Sequence, residues 1–387
     1  MRADQPLSIY VHLPFCARKC HYCDFNSRPA PPSDRARYLD ALHLEIGRRT
    51  ETLAGTRAGT IFFGGGTPTI YGADELAGLL AALRGRAGKL APAGDHAADV
   101  EISIEANPES VDRRKLAALH AAGFSRISIG AQSFDDGELA LLGRGHSAKH
   151  TEAAVVDART AGFENLSLDL IYALPGQTVE GWRATLQRAL ELEPDHLSAY
   201  GLELAEGTPL AARVEAGEIA PVSEGEHLAM REVTGELCAQ AGLQRYEISN
   251  YARPGLGCRH NITYWRNEPY LGLGAGAWTY FDGERSMNLR EPDEYCVALE
   301  RGDDARAFSE RLDPSDALLE AVMMGLRMAA GVSLEGLRAC HGEERVAGLL
   351  ARAEPLVAMG LVEIAGDHLR LTAAGEPLHS EVVVRLA

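Results

Sequence analysis

The chain has 387 residues, 46% of them hydrophobic and 24% charged, which is enough to bury a sizeable core without disulfides and unlike a disordered, collagenous or coiled-coil sequence. Its formal net charge of −17 disfavours non-specific binding to nucleic acid or to an anionic membrane surface. Seven unevenly spaced cysteines do not read as a secreted disulfide framework, the opening residues do not read as a signal peptide, and no run of about 18 apolar residues suggests a membrane span, so a reducing cytoplasm is the expected compartment.

The first β-rich run, LSIYVHL (7–13), leads into a cysteine loop, Cys16-Ala-Arg-Lys-Cys20-His-Tyr-Cys23. Three thiolates at spacings of four and three residues suit iron–sulfur clusters and other soft-metal sites. A structural zinc site wants a fourth ligand, for which His12 and His21 are the nearby candidates. The loop's place at a strand end, with Arg18 and Lys19 inside it, argues against three unrelated buried cysteines. A Pro-rich turn, RPAPPSD (28–34), precedes an amphipathic helix at 34–49. The second run, TIFFGG (60–65), opens into GGGTPT (64–69), where glycines let backbone groups approach a ligand without a Cβ in the way; tight turns use glycine too. A helical pattern follows at 73–86. The runs DVEISIEA (99–106), RISIGAQ (126–132), NLSLDLIYAL (165–174) and HLSAYGLEL (196–204) complete six strand–helix units over roughly residues 7–240. Such alternation signals parallel βαβ units with right-handed crossovers. The sheet either closes towards a barrel or stays open and doubly wound. Glu105, Gln132 and Asp169 stand at successive strand ends, which a barrel would gather at one mouth.

Residues 241–304 change character. They are rich in Gly, Tyr and Trp, and read as short strands and loops that extend or cap the barrel. Residues 305–387 follow the order helix, helix, helix, hairpin, helix, as in a winged helix. With eight Arg, no Lys and twelve acids, this segment is expected to pack against the barrel and not to bind DNA.

CxxxCxxC behind the first strand of a βα barrel resembles the radical S-adenosylmethionine (SAM) superfamily. YVHLPFCARKCHYCDF is similar to the group containing the oxygen-independent coproporphyrinogen III oxidases and the heme chaperones related to them. The resemblance runs through most of the chain. It implies an α/β fold: a partial (β/α)6 TIM-like barrel over residues 1–240, an extension over 241–304, and a C-terminal winged-helix-like domain over 305–387. It also implies a 4Fe–4S cluster on Cys16, Cys20 and Cys23, with SAM chelating the fourth iron. On the family's pattern, Gly65, Gly66 and Thr67 meet the SAM amino group and Glu105 meets the ribose hydroxyls. Arg144 pairs with a carboxylate, and Tyr10, Gln132 and Asp169 fall on further SAM-contacting positions. Tyr22 packs on the adenine side.

Within that group, the oxidases carry a fourth cysteine two residues after the third and a longer leader. Here Phe25 holds that position, and nine residues precede Tyr10. HNITYW (260–265) matches the HNxxYW signature associated with the chaperones. This implies heme as a further cofactor, with His260 as candidate axial ligand, Cys258 as its competitor, and Tyr264 and Trp265 as an aromatic wall. Taken alone, a His-Asn pair is a common backbone cap, and Tyr and Trp are common core residues. The expected function is a heme chaperone serving apo-acceptors such as respiratory cytochromes; a coproporphyrinogen III oxidase is the alternative, and whether the chain is an enzyme stays open. The resemblance further implies a flavodoxin- or ferredoxin-type electron donor, a homodimer, and a cytoplasmic location, at most peripheral at the inner membrane.

Overall fold

The computed structural model describes residues 6–54, 56–86 and 100–387. Asp99, the expected start of the third β-rich run, and the first five residues of the expected barrel unit lie outside the described residues.

Six strands carry the fold: β1 (Leu7–Leu13), β2 (Ala58–Gly65), β3 (Glu101–Ala106), β4 (Arg126–Gln132), β5 (Asn165–Tyr172) and β6 (His196–Gly201). They pair in parallel, each with its successor in the chain. A doubly wound sheet reverses its strand order at a switch point. This one does not, so the barrel-like arrangement holds, although the sheet stays open. β6 pairs antiparallel with β8 (Asn250–Ala252), which pairs with β7 (Gln244–Arg245). On the opposite edge β1 pairs in parallel with β9 (Tyr270–Leu273). Three antiparallel strands follow there: β10 (Trp278–Phe281), β11 (Glu284–Asn288) and β12 (Arg306–Glu310). Residues 241–304 therefore extend both edges of the sheet and are not one appended unit. Strand β12, read from sequence as the start of the C-terminal domain, is the outer strand of the main sheet.

Strand alternation explains the two faces. Leu7, Ile9, Val11 and Leu13 of β1 are buried on the helix side, while Ser8, Tyr10 and His12 point inward. The helices α1 (Pro32–Arg48), α2 (Ala73–Arg84), α3 (Arg113–Ala122), α4 (Ala148–Ala161), α5 (Val179–Glu191) and α6 (Glu224–Gln240) cover the outer face. In α1, Tyr38, Leu39, Leu42 and Ile46 form the buried stripe that three- and four-residue spacing produces. Helix α3 starts where the Asp112 carboxylate accepts from the Lys115 amide, and stops at Gly123, whose φ of 103° suits glycine. The inward face is polar for a buried surface: Ser8, Thr60, Ser103, Arg126, Ser128, Ser167, His196 and Ser198 are all buried.

A short helix, α7 (Arg259–Trp265), closes the barrel at the N-terminal ends of the strands. Ser8 Oγ meets Thr263 Oγ1 at 2.8 Å, and Thr60 Oγ1 meets His260 Nδ1 at 2.6 Å. The amides of Arg259 and His260 donate to the Glu101 carboxylate at 3.1 and 3.2 Å, so a negative charge caps this helix start. After α8 (Pro292–Arg301) and β12 comes a C-terminal unit with a core of its own around Leu318, Val322, Leu349, Leu356, Leu369 and Val382. It comprises α9 (Pro314–Gly325), β13 (Val332–Ser333), α10 (Leu334–His341), α11 (Glu343–Ala358), the hairpin β14 (Val362–Ala365) and β15 (His368–Leu371), and α12 (His379–Leu386). Arg231 and Arg245 clamp Glu376 of this unit, Arg285 pairs with Glu320, and Arg327 lies 4.4 Å over the Trp265 ring. Among the described residues no helix is long and apolar enough to cross a membrane.

Candidate functional site

A cavity of about 360 Å³ opens at the C-terminal ends of the parallel strands. Cys16, Cys20 and Cys23 line it together with Tyr22, Gly65, Gly66, Thr67, Glu105, Gln132, Arg144 and Asp169. The cysteine loop is held at both ends. Phe15–Cys16 pairs in parallel with Arg28–Pro29, and Lys19 Nζ donates to the Phe25 and Ser27 carbonyls at 2.7 and 2.9 Å. Asn26 Nδ2 donates to the Ala275 and Arg290 carbonyls at 3.1 and 2.9 Å, tying the loop to the sheet extension.

All three thiols are free. Thr67 Oγ1 donates to Cys16 Sγ at 3.5 Å, Arg144 Nη1 donates to Cys20 Sγ at 3.5 Å, and Ser27 Oγ lies 3.9 Å from Cys23 Sγ. Burial pushes the Cys16 thiol pKa up, so the charge of a bound metal would be needed to make it a thiolate. Among the described residues no three His, Cys, Asp or Glu side chains stand close enough to share one ion. The zinc alternatives are engaged elsewhere: His12 meets Asn26 O at 2.9 Å and Tyr10 Oη at 3.0 Å, while His21 Nδ1 meets Leu141 O at 2.9 Å. Gly66 keeps the space beside the loop clear, because a Cβ there would lie 2.6 Å from the Phe15 carbonyl oxygen and 3.0 Å from Cys16 Sγ. Three soft donors around one cavity, with a backbone cradle beside them, fit a sulfur-ligated iron cluster.

Two carboxylates share the cavity. Glu105, at the end of β3, accepts from the Gly65 amide at 3.1 Å; burial, and then the neighbouring Asp169 charge, push its pKa up to about 8. Asp169 accepts from Ser128 Oγ at 2.8 and 3.0 Å, and burial raises its pKa as well. A ligand bearing an ammonium group and hydroxyls would satisfy both. Gln132 reaches the cavity through a register shift in β4 and a φ of 65°, a conformation that non-glycine residues seldom adopt. Tyr22 packs on the small apolar cluster of Leu142, Ile171, Leu174 and Leu210.

Asn107 was missed in the sequence. Its Oδ1 accepts from Arg144 Nη2 at 2.6 Å, and its Nδ2 donates to Thr67 Oγ1 at 3.0 Å. One hydrogen-bonded chain thus runs from Cys20 through Arg144, Asn107 and Thr67 to Cys16. Its place two residues beyond Glu105 in EANPES was the available signal. Tyr200, at the end of β6, also lines the cavity.

Tyr10 and His260 are brought together, but not into the cavity. Their rings stand 6.2 Å apart in the barrel interior, and His260 stacks on Phe62 at 5.1 Å. His260 is 1% exposed, with Nδ1 against Thr60 Oγ1 and Nε2 against Tyr264 Oη at 2.9 Å. Burial, helped by the Arg126 charge, lowers its pKa to about 3. Neither ring nitrogen is free, so axial ligation by His260 would require this cage to open. Cys258 is equally enclosed: its Sγ lies 3.7 Å from Glu101 Oε1, and burial pushes its thiol up to about 12. HNITYW and the cysteine loop therefore occupy opposite ends of the barrel.

The family model of the radical SAM superfamily matches residues 10–189, and that of the HemN C-terminal domain matches residues 312–378. The chain is 36% identical over 385 residues to the heme chaperone HemW of Mycobacterium tuberculosis, covering 98% of this chain and 94% of that one. It is 34% identical over 376 residues to HemW of Bacillus subtilis, covering 97% of each. Among solved structures it is similar to the coproporphyrinogen III oxidase HemN of Escherichia coli, described as a radical SAM enzyme. That likeness has a TM-score of 0.84 at 27% identity, over 99% of this chain and 90% of that one.

Proposed function

As the chain belongs to the radical SAM superfamily and, within it, to the family of the heme chaperone HemW, we propose that it binds heme and passes it to apo-proteins, on a core that holds a 4Fe–4S cluster and SAM. The observation that carries this reading is the identity of 34–36% to curated HemW chaperones over nearly the whole chain. Phe25, two residues after Cys23 and 66% exposed, agrees with it, because the oxidase pattern wants a cysteine there. Respiratory cytochromes are the acceptor class this reading favours.

Cys16, Cys20 and Cys23 hold the cluster in this proposal. Bound there, it would supply a low-potential electron to the SAM sulfonium. The chain's own residues prepare the surroundings. Thr67 and Arg144 donate to two of the sulfurs, which withdraws charge from them and fixes their orientation. The open backbone at Gly65 and Gly66 admits the amino-acid end of the nucleotide. Glu105 and Asp169 accept its hydroxyl and ammonium protons, and a cation arriving there would return Glu105 to its ionised form. Tyr22 and its apolar neighbours exclude water from one wall. Because His260 and Cys258 are enclosed, the heme reading does not rest on either.

Heme titration of the anaerobically reconstituted protein tests it. The expected result is stoichiometric Soret binding, transfer to an apo-cytochrome, and no loss of coproporphyrinogen. Porphyrinogen turnover with methionine release would replace this reading with the oxidase one, which the likeness to HemN favours.

A further inference from the structure

A second hydrogen-bonded chain leaves the cavity through its floor. Ser167 Oγ donates to Asp169 Oδ1 at 3.4 Å and lies 2.8 Å from His196 Nδ1. On the far side of the ring, His196 Nε2 lies 2.9 Å from Tyr246 Oη, which accepts from the Cys258 amide at 3.3 Å. Cys258 is the residue that precedes α7. The chain therefore runs through the barrel from a cavity carboxylate to the start of the HNITYW helix, and its central members, Ser167 and His196, are fully buried.

The Cys258 end fixes its direction. A backbone amide can only donate, so the Tyr246 oxygen accepts there. Among the described residues the remaining partner of the Tyr246 hydroxyl is His196 Nε2, which must take its hydrogen. Nε2 thus carries no proton of its own, and the ring is neutral with its proton on Nδ1, a form that burial and the Arg126 charge also favour. Nδ1 then donates to Ser167, which leaves the Ser167 hydrogen for Asp169. Every link points at the carboxylate. Ser128, Ser198 and the Arg126 charge favour its ionised form as well, and Glu105 on β3 and Tyr200 on β6 are the other titratable groups that face it. Arg126, Cys258 and Glu247 surround the His196–Tyr246 pair.

We propose that His196 is a positioning residue for Asp169: held in one tautomer by Tyr246, it keeps the Ser167 hydrogen on the carboxylate, so that the cavity offers an ionised acceptor to a cationic ligand. The inference rests on the nucleotide reading above. In Tyr246→Phe nothing keeps a proton off Nε2. The ring is then free to take the other tautomer, Ser167 turns its hydrogen to Nδ1, and Asp169 loses a donor.

Two measurements test this. The first needs no cofactor: nitrogen-15 spectra of the full chain labelled on histidine, with His196→Gln identifying the signal. The wild type should show a protonated Nδ1 and a bare Nε2, and Tyr246→Phe should lose that pattern. A protonated Nε2 in the wild type would overturn the proposal. The second is equilibrium dialysis of SAM against the anaerobically reconstituted protein from pH 6 to pH 9. Tyr246→Phe and Ser167→Ala should bind SAM roughly fivefold or more weakly at pH 6, at wild-type iron content, and the deficit should close towards pH 9. The sign follows from the missing donor: without it Asp169 holds its proton to higher pH, and alkaline solution ionises it unaided. Glu105 titrates in all three proteins alike, so the difference isolates Asp169. Lost packing would give a deficit of one size at every pH; that result, or unchanged affinity in both variants, would overturn the proposal while leaving the nucleotide reading standing. Failure of the wild type to bind SAM at any pH would instead remove that reading, and this inference with it.

Discussion

Replacing His260 separates a barrel-floor residue from a heme ligand. In His260→Ala the hydroxyls of Thr60 and Tyr264 lose their partner, at roughly 1–3 kcal/mol each when buried. The emptied ring volume adds on the order of 2 kcal/mol. The Ala variant should therefore lose about 4 kcal/mol or more, a large share of ordinary domain stability. His260→Gln can still donate and accept, and should lose less. The pH dependence is the sharper readout. His260 has a folded pKa of about 3 against an ordinary 6.5, so between those values the unfolded chain binds one more proton at this site than the folded one. Stability from this group is complete above pH 6.5 and falls as pH drops towards 3, by about 1.4 kcal/mol per pH unit. His196, also buried with a lowered pKa, acts in the same direction and stays in both proteins. In urea titrations the stability difference between pH 6.5 and pH 5 should be about 2 kcal/mol smaller in His260→Gln than in wild type. Heme affinity at pH 8 should be unchanged in the folded fraction. A Gln variant that keeps wild-type stability and wild-type pH dependence yet loses its Soret band would refute this reasoning and make His260 the ligand.

Cys16→Ser should abolish the cluster's absorbance and iron content after reconstitution. It should leave the circular dichroism and the unfolding midpoint of the ligand-free chain nearly unchanged, since the thiol takes part in one weak hydrogen bond. Gly66→Ala forces a Cβ to within 2.6 Å of the Phe15 carbonyl oxygen, so cluster occupancy, read as iron per chain, should fall together with a stability loss of about 1–3 kcal/mol. Glu105→Gln should weaken SAM binding by roughly 1–3 kcal/mol in equilibrium dialysis. The same substitution should stabilise the ligand-free chain at alkaline pH. The folded pKa of Glu105, about 8, lies above its ordinary value, so the protonated carboxyl's contribution is full below about pH 4.5 and is lost as pH rises through 8. Urea midpoints at pH 5 and pH 8.5 check the sign.

Much of the cavity was legible because its parts are local. Three cysteines within eight residues belong to one loop, and any fold of that loop keeps them near each other. Glu105 and Gln132 could be placed because they stand at the ends of β3 and β4, and parallel strands present such ends on one side; Asp169, expected at a strand end, lies inside β5 and lines the cavity from mid-strand. Asn107 escaped notice because its value lies in partners it meets in space, Arg144 and Thr67, each about forty residues away. The strand Arg306–Glu310 escaped because five residues of mixed character do not say which sheet they join.

The sequence by itself determined that three cysteines share one loop, the six-fold strand–helix repeat and the end of the sheet that the loop faces, because short-range spacing and strand period settle each of these. Only the tertiary structure decided that HNITYW plugs the far end of the barrel. A seven-residue helix carries no address of its own. It lies where Thr60 and Glu101, some 160 to 200 residues earlier in the chain, offer buried partners for its polar atoms, and such long-range satisfaction is invisible to any local pattern.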